Sequence, residues 1–259
     1  MRVLLLPTDS MPGYLIHEQL CFLYGQCFIS SYDVAAATLN FRQIYAMIIV
    51  CKGGEYAVFI TFEGIDGCGK STQAKMLFEL LNKKENALLT HEPGGWEGGE
   101  ALRALVLNGS LRHRWSEFFL FMLDRCEHAA RVIKPAIDAG KHVICERYHD
   151  STLAYQVWGR QLPYGPVRDA PALASLPVPD VTFLFSIAPE QALSRVSKRG
   201  PADAFESKGL AFMKRVDEGY RTLAKTDCAR WVVIECGEKT PDEIFECVKS
   251  SLRGKGLYL

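Results

Sequence analysis

Eight residues at positions 64–71 have the types and the spacing needed to hold the phosphates of a nucleotide. They fit the pattern G-x-x-x-x-G-K-[ST] at every fixed position, and they are Gly64, Ile65, Asp66, Gly67, Cys68, Gly69, Lys70 and Ser71, followed by Thr72. The glycines allow backbone N–H groups to converge on phosphate oxygens, and the start of a helix adds partial positive charge. Lys70 can then reach the β- and γ-phosphates, and the Ser71 hydroxyl can bind Mg²⁺.

Segments on both sides of this loop have the periodicity that such a site requires. Residues 58–62 are mostly apolar, β-branched or aromatic, which predicts a short buried strand before the loop. After the loop, Ala74, Leu77, Phe78 and Leu81 recur at the spacing of one helix face. A chance glycine turn would not come with this strand–loop–helix context, so the sequence predicts a binding site for a nucleoside triphosphate.

Composition is typical of a soluble globular protein. The chain has 259 residues, of which 48% are hydrophobic and 23% charged, enough for one large α/β domain or two small ones. The formal net charge is zero, so the protein has no overall positive electrostatic field to attract nucleic acid or an anionic membrane. We expect neither as a partner. No run of 18 apolar residues predicts a membrane-spanning helix.

Nine cysteines are present without any C-x-x-C pair, so their spacing indicates neither a zinc site nor a disulfide framework. Several lie within apolar runs, as Cys145 does in residues 142–145, where a small buried thiol is the expected role. This cysteine usage favours the reducing cytoplasm as the location of the protein.

The first 57 residues differ from the remainder of the chain, because they mix apolar, aromatic and cysteine residues without steady periodicity. We expect residues 1–57 to be an N-terminal extension outside the fold and residues 58–259 to form the nucleotide-binding domain. One hypothesis is that translation begins at Val58 from a GTG codon, since residues 52–54 can be encoded by AAAGGAGGA, which contains a bacterial ribosome-binding sequence. A true N-terminal arm and a start at Met47 are the alternatives, and the mass of the native N-terminus distinguishes them.

The rest of the chain alternates predicted strands and helices. Further strands are expected at residues 87–90, 142–145, 180–187 and 231–235. Helices are expected at 99–107, from Glu117 (N-cap Ser116) through a bend at Pro135 to a C′ glycine at Gly140, and after Thr240 with Pro241 at N1. This order predicts a three-layer α/β fold, with helices on both faces of a parallel sheet of about five strands. Ligands bind beyond the carboxyl ends of such strands, where segments 64–71, 91–95 and 146–148 all fall.

Two residues on the long predicted helix can recognise a nucleobase. Phe121 and Arg125 are four residues apart, so they share one face of the helix. The ring can stack on a base, and the guanidinium can donate to a carbonyl oxygen at its edge. Position alone favours the other interpretation, a core phenylalanine beside an ion-paired arginine.

Five blocks together resemble the thymidylate kinase family, in that family's order and with similar gaps from Val58 to the C-terminus. They are FITFEGIDG at 59–67, EPGG at 92–95, FMLDR at 121–125, VIKPA at 132–136 and RY-x-DS-x-LAYQ-x-x-GR at 147–160. The resemblance implies a P-loop kinase that transfers the γ-phosphoryl of ATP to the 5′-phosphate of dTMP, giving dTDP and ADP for dTTP synthesis. It also implies a homodimer that pairs through helices.

The resemblance further implies how the nucleoside part of dTMP is held. Phe121 would stack on thymine and Arg125 would bind its edge, with Thr152 and Gln156 near the base. Tyr155 would lie against C2′ of the sugar and disfavour a ribose hydroxyl.

For the phosphates, the resemblance implies that Arg147 and Arg103 hold the acceptor phosphate. Asp66 would bind the sugar 3′-hydroxyl or a metal-bound water. Ser71 and Glu146 would hold Mg²⁺.

A lid around residues 195–209 is expected to close over ATP, again by resemblance. Some relatives carry an arginine in the loop at the position of Gly67, so the lid must supply that cation here. We assign this catalytic role to Arg199 and a role in ATP binding to Arg195.

Four departures from the family pattern bear on turnover. His91 replaces an arginine, Glu146 replaces an aspartate, Trp96 replaces a small residue, and Ala204 replaces a lid arginine. Loss of a catalytic cation near the phosphates costs on the order of a hundredfold in rate, unless Arg195 or Arg199 compensates.

Two alternatives therefore stay open. One is a kinase for another nucleoside monophosphate such as dUMP. The other is a regulatory P-loop NTPase without transfer activity, which Ala204 favours and the apparent second nucleotide pocket opposes.

Overall fold

The structure, a computed structural model, describes residues 57–84, 86–198, 204–255 and 257. The predicted extension up to residue 56, and Arg199 with the centre of the predicted lid, lie outside the described residues. Within those residues, five parallel strands form one sheet in the order β2-β3-β1-β4-β5. The strands are β1 Phe59–Glu63, β2 Ala87–His91, β3 His142–Glu146, β4 Val181–Ser186 and β5 Trp231–Glu235.

Helices and single helical turns connect these strands. The helices are α1 Lys70–Leu81, α2 Gly99–Leu107, α3 Arg114–His128, α4 Lys134–Asp138, α5 His149–Thr152, α6 Tyr164–Leu173, α7 Pro189–Val196, α8 Leu210–Thr226 and α9 Pro241–Gly254. Turns of 3₁₀-helix lie at Asn82–Lys84 and Glu206–Lys208, and π-helical segments lie at Ala129–Ile133 and Leu153–Gly159.

The predicted α/β fold is confirmed, and each predicted strand is present. β5 has its predicted bounds, and the other strands differ by one residue at one or both ends. β1 extends to Glu63 because this residue still pairs with Leu184 of β4. Asp180 lies just outside β4, and its carboxylate accepts a hydrogen bond from the Phe59 backbone N–H at 2.7 Å.

Both faces of the sheet are buried, as the near-continuous apolar strands predict. Phe59 and Val143 pack with Ile133 on one face. Ile60 belongs to the larger core on the other face, together with Leu77 of α1. Each fully buried side chain of this kind stabilises the fold by about 1.5–3 kcal/mol. The strands are thereby fixed in register, and their carboxyl ends meet at one edge.

The predicted start of the long helix is wrong by one turn. α3 begins at Arg114, and His113 rather than Ser116 occupies the capping position. The Ser116 backbone N–H already donates to the His113 carbonyl at 2.9 Å, so Ser116 lies inside the first turn. Glu117 in that turn favours the helix by facing its positive end.

The end of this helical stretch follows the predicted proline and glycine signals. Regular α-helix stops at His128 and passes through a π-helical segment into α4, which has Pro135 in its first turn. Pro135 has no N–H to donate to the preceding turn, so the regular hydrogen-bond pattern is interrupted there. Gly140 has φ +77°, and the Lys141 N–H bonds the Ala136 carbonyl at 2.9 Å, which is a Schellman end.

Two further predictions agree with the structure. α2 has its predicted bounds, and α9 begins with a capping box between Thr240 and Glu243, with Pro241 at the first helical position. In the part of the chain that the structure describes, no helix combines the length and apolar character needed to cross a bilayer.

Candidate active site

The glycine-rich loop lies between β1 and α1, at the carboxyl end of the central strand. Gly64, Gly67 and Gly69 have φ angles of +142°, +88° and +96°, a region that other residues rarely adopt. A Cβ atom on Gly67 would also lie 2.6 Å from the carbonyl oxygen of Ala192. Glycine therefore allows the loop to curve and to direct backbone N–H groups at phosphates. Residues 64–72 form this loop and the first turn of α1, where they were predicted.

Lys70 begins α1, and its side chain turns back toward the loop. Lys70 Nζ lies 3.2 Å from Asp66 Oδ1 and 3.9 Å from Glu146 Oε1. Arg147 Nη2 donates to the same Asp66 oxygen at 2.7 Å. Burial raises the pKa of the Asp66 carboxyl, but Arg147 and Lys70 outweigh it and hold this pKa well below its usual range. Asp66 is thus a fixed anion between two cations that can face phosphates.

Ser71 and Glu146 form a pair of oxygen ligands beside Lys70. The Ser71 hydroxyl donates to Glu146 Oε1 at 2.8 Å. Hydroxyl and carboxylate oxygens are hard ligands that suit Mg²⁺. Among the described residues, no cluster of three or more His, Cys, Asp or Glu could hold a metal ion. One hydroxyl and one carboxylate are the kind of oxygen ligands that Mg²⁺ uses at ATP sites, where phosphates and water supply most of the coordination.

A cavity of about 410 Å³ opens beside this cluster, a volume typical of small-molecule sites. It is lined by every residue predicted to hold the acceptor: Arg103, Phe121, Arg125, Arg147, Thr152, Tyr155 and Gln156. Asp66, Ser71 and Glu146 line it as well, so the cavity continues to the phosphate loop. The structure thus brings the two predicted nucleotide sites into contact.

Arg125 is almost fully buried, yet it reaches the cavity. Its Nε and Nη2 lie 2.8 and 2.7 Å from Glu92 Oε2, and its Nη1 donates to Thr152 Oγ1 at 3.1 Å. Burial lowers the pKa of the guanidinium, but the Glu92 carboxylate outweighs this and raises it. A guanidinium carries five N–H groups, so these contacts leave donor capacity for a ligand.

Helix α3 also fixes the loop that follows β2. Asp124 accepts from the Gly94 backbone N–H at 3.0 Å and from Trp96 Nε1 at 2.8 Å. His128 Nδ1 lies 3.0 Å from Glu92 Oε1. The structure therefore accommodates Trp96 where the family has a small residue, because the indole N–H donates a second hydrogen bond to Asp124.

Arg147 is held by several side chains and by an unusual backbone. Its φ angle is +65°, a left-handed conformation that costs energy for a non-glycine residue. Nη1 donates to Ser151 Oγ and to Tyr220 OH at 3.1 Å each, and Nη2 donates to Tyr155 OH at 3.2 Å. The guanidinium carbon lies 5.1 Å from the centre of the Tyr155 ring. Arg147 therefore presents its charge to the cavity in one orientation.

Gln156 and the aromatic side chains form the part of the cavity suited to a base and sugar. Gln156 is fully buried, and neither atom of its amide has a hydrogen-bond partner among the described residues. A buried amide without a protein partner needs its hydrogen bonds from water or from a ligand in the cavity. The ring of Phe205 lies 6.3 Å from that of Phe121 and 5.7 Å from that of Tyr155.

The predicted lid is partly described. Arg195 Nη1 donates to the Gly67 carbonyl at 3.4 Å and Nη2 to the Gly237 carbonyl at 3.0 Å, so Arg195 lies against the phosphate loop. The Ala204 N–H donates to the Leu107 carbonyl at 3.2 Å, which joins the lid to the end of α2. Arg199 lies outside the described residues.

Several cavity residues were not singled out in the sequence. These additional lining residues are Glu92, Pro93, Val106, Leu107, Tyr148, Ser151 and Phe205, while His91, noted above as a departure, lines the cavity as well. Glu92, Pro93, Tyr148 and Ser151 belong to the blocks that carry the resemblance, which could have identified them. Burial and the nearby Arg103 lower the pKa of His91, so this replacement for an arginine is a neutral donor near pH 7.

The fold and the site together define a class: a P-loop kinase with a second ligand cavity opening onto its phosphate loop. Comparison with known sequences refines this class. The sequence profile of thymidylate kinase matches residues 62–246. The chain belongs to the thymidylate kinase family.

Individual relatives agree with this assignment. The chain is 38% identical over 214 residues to the thymidylate kinase of Desulfovibrio desulfuricans, covering 77% of this chain and 98% of the relative. It is 41% identical over 203 residues to that of Solidesulfovibrio magneticus, covering 74% and 96%. The crystal structure of thymidylate kinase from Ehrlichia chaffeensis superposes with a TM-score of 0.63 at 31% identity, covering 76% of this chain and 99% of that one.

Proposed function

We propose that this protein transfers the γ-phosphoryl group of ATP to the 5′-phosphate of dTMP, giving dTDP and ADP. The observation that carries this proposal is the continuous site in which Lys70, Asp66 and Arg147 join the phosphate loop to the cavity. Its distal residues Phe121 and Arg125 suit a pyrimidine ring.

The reaction needs alignment and charge neutralisation rather than a covalent intermediate. Lys70 and the loop N–H groups bind the phosphates of ATP. Arg147 and Arg103 bind the acceptor phosphate, and Asp66 holds Arg147 and Lys70 in place or binds the sugar 3′-hydroxyl or a metal-bound water. Because both substrates are anions, these cations reduce the electrostatic repulsion between the two substrates as they come together.

When Mg²⁺ is bound, it neutralises part of the negative charge on the ATP phosphates. Ser71 and Glu146 are the residues that would hold it, directly or through water.

The acceptor nucleoside is recognised by contacts at its ring face and edge. Phe121 stacks on thymine, while Arg125, Thr152 and Gln156 bind polar atoms of the base. Tyr155 lies beside the sugar, where a ribose 2′-hydroxyl would crowd it.

On the donor side, Arg195 lies where it can reach ATP next to the phosphate loop. Arg199, in the same lid, supplies the cation that Gly67 and Ala204 do not.

A panel of nucleoside monophosphates tests this function. With ATP and Mg²⁺, we expect ADP release to depend on dTMP, and kcat/KM for dUMP to be lower by about tenfold or more, the range expected for loss of one methyl contact. A coupled assay of ADP release measures this. A preferred acceptor other than dTMP, or ADP release independent of any acceptor, would contradict the proposal.

We also propose that the protein is a homodimer that pairs through α3. Phe119 and Leu123 are 62% and 52% exposed and lie four residues apart on this helix. The Trp115 ring stacks on Phe119 at 5.9 Å, which extends an apolar stripe on the same face. Such a stripe suits the helix pairing implied by the family.

Changing Phe119 to glutamate is expected to weaken this dimer by at least about 30-fold, since a central aromatic contact contributes about 2 kcal/mol or more. Sedimentation velocity across a concentration series measures the shift to monomer. Val233→Glu, at a 47% exposed position on β5, is the control and should leave the dimer unchanged. A monomeric parent protein would refute the proposal.

We further propose that residues 58–259 form the kinase domain and that it acts in the cytoplasm. The family match at residues 62–246 falls inside this range. The six cysteines of the described residues are free thiols, which suits a reducing compartment.

A further inference from the structure

Glu63 is a buried carboxylate placed directly before the phosphate loop. It is the last residue of β1 and has no exposed surface. It does not line the cavity. Burying an acidic group is costly unless hydrogen bonds compensate, so its partners indicate why it is there.

Each hydrogen-bond partner of the Glu63 carboxylate either contacts Arg147 or follows it directly in the chain. Glu63 Oε2 accepts from Ser151 Oγ at 2.5 Å and from Tyr220 OH at 3.1 Å. These same two hydroxyl groups accept from Arg147 Nη1 at 3.1 Å each. The carboxylate therefore orients two hydroxyl groups so that their lone pairs face the guanidinium.

Glu63 also holds the backbone that follows Arg147, and its neighbour Phe62 holds Arg147 itself. Its Oε1 accepts from the Tyr148 N–H at 2.8 Å, while the Arg147 N–H donates to the Phe62 carbonyl at 2.9 Å. Between these two bonds Arg147 adopts its left-handed φ of +65°. A strained residue persists only where its surroundings fix it, and the end of β1 fixes this one.

We propose that Glu63 is a positioning residue for phosphoryl transfer, which holds Arg147 in the conformation that binds the acceptor phosphate. This inference rests on the proposed function, because it takes Arg147 to be a ligand of that phosphate. Glu63 acts through Ser151, Tyr220 and the Tyr148 N–H and touches no substrate.

Burial makes the ionised form of Glu63 unfavourable in the folded protein. Burial, and then the negative charge of Asp150 in α5, raise the pKa of Glu63 to about 7. Arg147 and the hydrogen bonds from Ser151 and Tyr148 partly oppose this shift, and Tyr220 faces the same carboxylate from α8. Since the folded protein binds this proton more tightly than the unfolded chain, Glu63 destabilises the fold increasingly as pH rises from the ordinary value of 4.5 to about 7.

The variant Glu63→Gln separates positioning from stability. It keeps the volume but leaves one acceptor oxygen, so Ser151, Tyr220 and the Tyr148 N–H cannot all be satisfied. We expect kcat/KM for dTMP to fall by about 10- to 100-fold, the range for a slightly misplaced group, with KM for ATP changed less than about twofold. The urea midpoint of this variant minus that of the parent should increase between pH 5 and pH 8.

Two variants complete the test. Tyr220→Phe removes one hydroxyl between Glu63 and Arg147 and should lower kcat/KM for dTMP in the same sense, even if the glutamine variant fails to fold. Thr61→Val is the matched control: Thr61 lies on β1 like Glu63, and its buried 2.8 Å hydrogen bond to Thr182 of β4 does not involve Arg147. It should leave kcat/KM unchanged within about twofold.

The outcomes are distinct. Normal kcat/KM for dTMP in both the Glu63 and Tyr220 variants would overturn the inference, and so would an equal loss in Thr61→Val. A parent protein that neither binds dTMP by calorimetry nor phosphorylates it would overturn the proposed function, and this inference with it.

Discussion

Replacing Lys70 by alanine is expected to lower kcat for dTMP phosphorylation by about 10²–10³-fold, the usual effect of removing one preorganised charge from a transition state. Lys70 Nζ is the cation of the phosphate loop, and its side chain is 5% exposed and held by Asp66 at 3.2 Å. Water cannot replace a fixed ammonium at this depth without reorganising. A coupled assay at saturating dTMP and ATP measures the effect.

The fold should tolerate this change, because Asp66 keeps its 2.7 Å contact with Arg147. Lys75→Ala is the matched control: it removes a lysine from the same helix whose side chain is 71% exposed and whose contact with Glu79 is a surface ion pair. Turnover of that variant should equal that of the parent. A loss below about tenfold in Lys70→Ala would mean that the loop does not bind the transferring phosphoryl.

The phosphate loop and the sheet could be predicted because their signals are local. The loop pattern occupies consecutive residues, and the strands are apolar runs that parallel sheets bury on both faces. Phe121 and Arg125 were predictable as a pair because helical spacing places them on one face. Their recognition of a base followed only from the resemblance.

The hydrogen-bond network behind Arg147 could not be predicted in this way. Glu63 and Tyr220 are separated by 157 residues, and only the tertiary fold brings the Tyr220 hydroxyl within 3.1 Å of the Glu63 carboxylate. From the sequence alone, Glu63 is only the polar residue that follows an apolar segment. Its hydrogen-bond partners depend on tertiary contacts that no periodicity encodes.

The start of α3 shows a similar limit at short range. Ser116 is a favourable capping residue, and propensity therefore placed the cap there. The structure extends the helix by one turn, and in that turn Arg114 Nη1 donates to the Gln161 carbonyl at 3.0 Å. Glu117 in the same turn pairs with Arg160 from the segment after α5. Tertiary contacts outweighed the local preference.

Replacing Arg125 by alanine is expected to cost about 3–5 kcal/mol of folding free energy in addition to dTMP affinity, because it breaks a buried ion pair. Both side chains of the Arg125–Glu92 pair are 2% exposed, with Nη2 to Oε2 at 2.7 Å. Alanine would leave the Glu92 carboxylate buried with His128 at 3.0 Å and without its guanidinium. Urea unfolding at pH 7 measures the stability, and calorimetry measures dTMP binding.

The double variant Arg125→Met, Glu92→Gln distinguishes the two roles of this arginine. It replaces both charges by neutral groups of similar volume, so most of the lost stability should return, as for other buried ion pairs. Binding of dTMP should stay weak, because no guanidinium reaches the base. If the double variant also bound dTMP normally, Arg125 would be a structural ion pair of the core, and base recognition would fall to Phe121, Thr152 and Gln156.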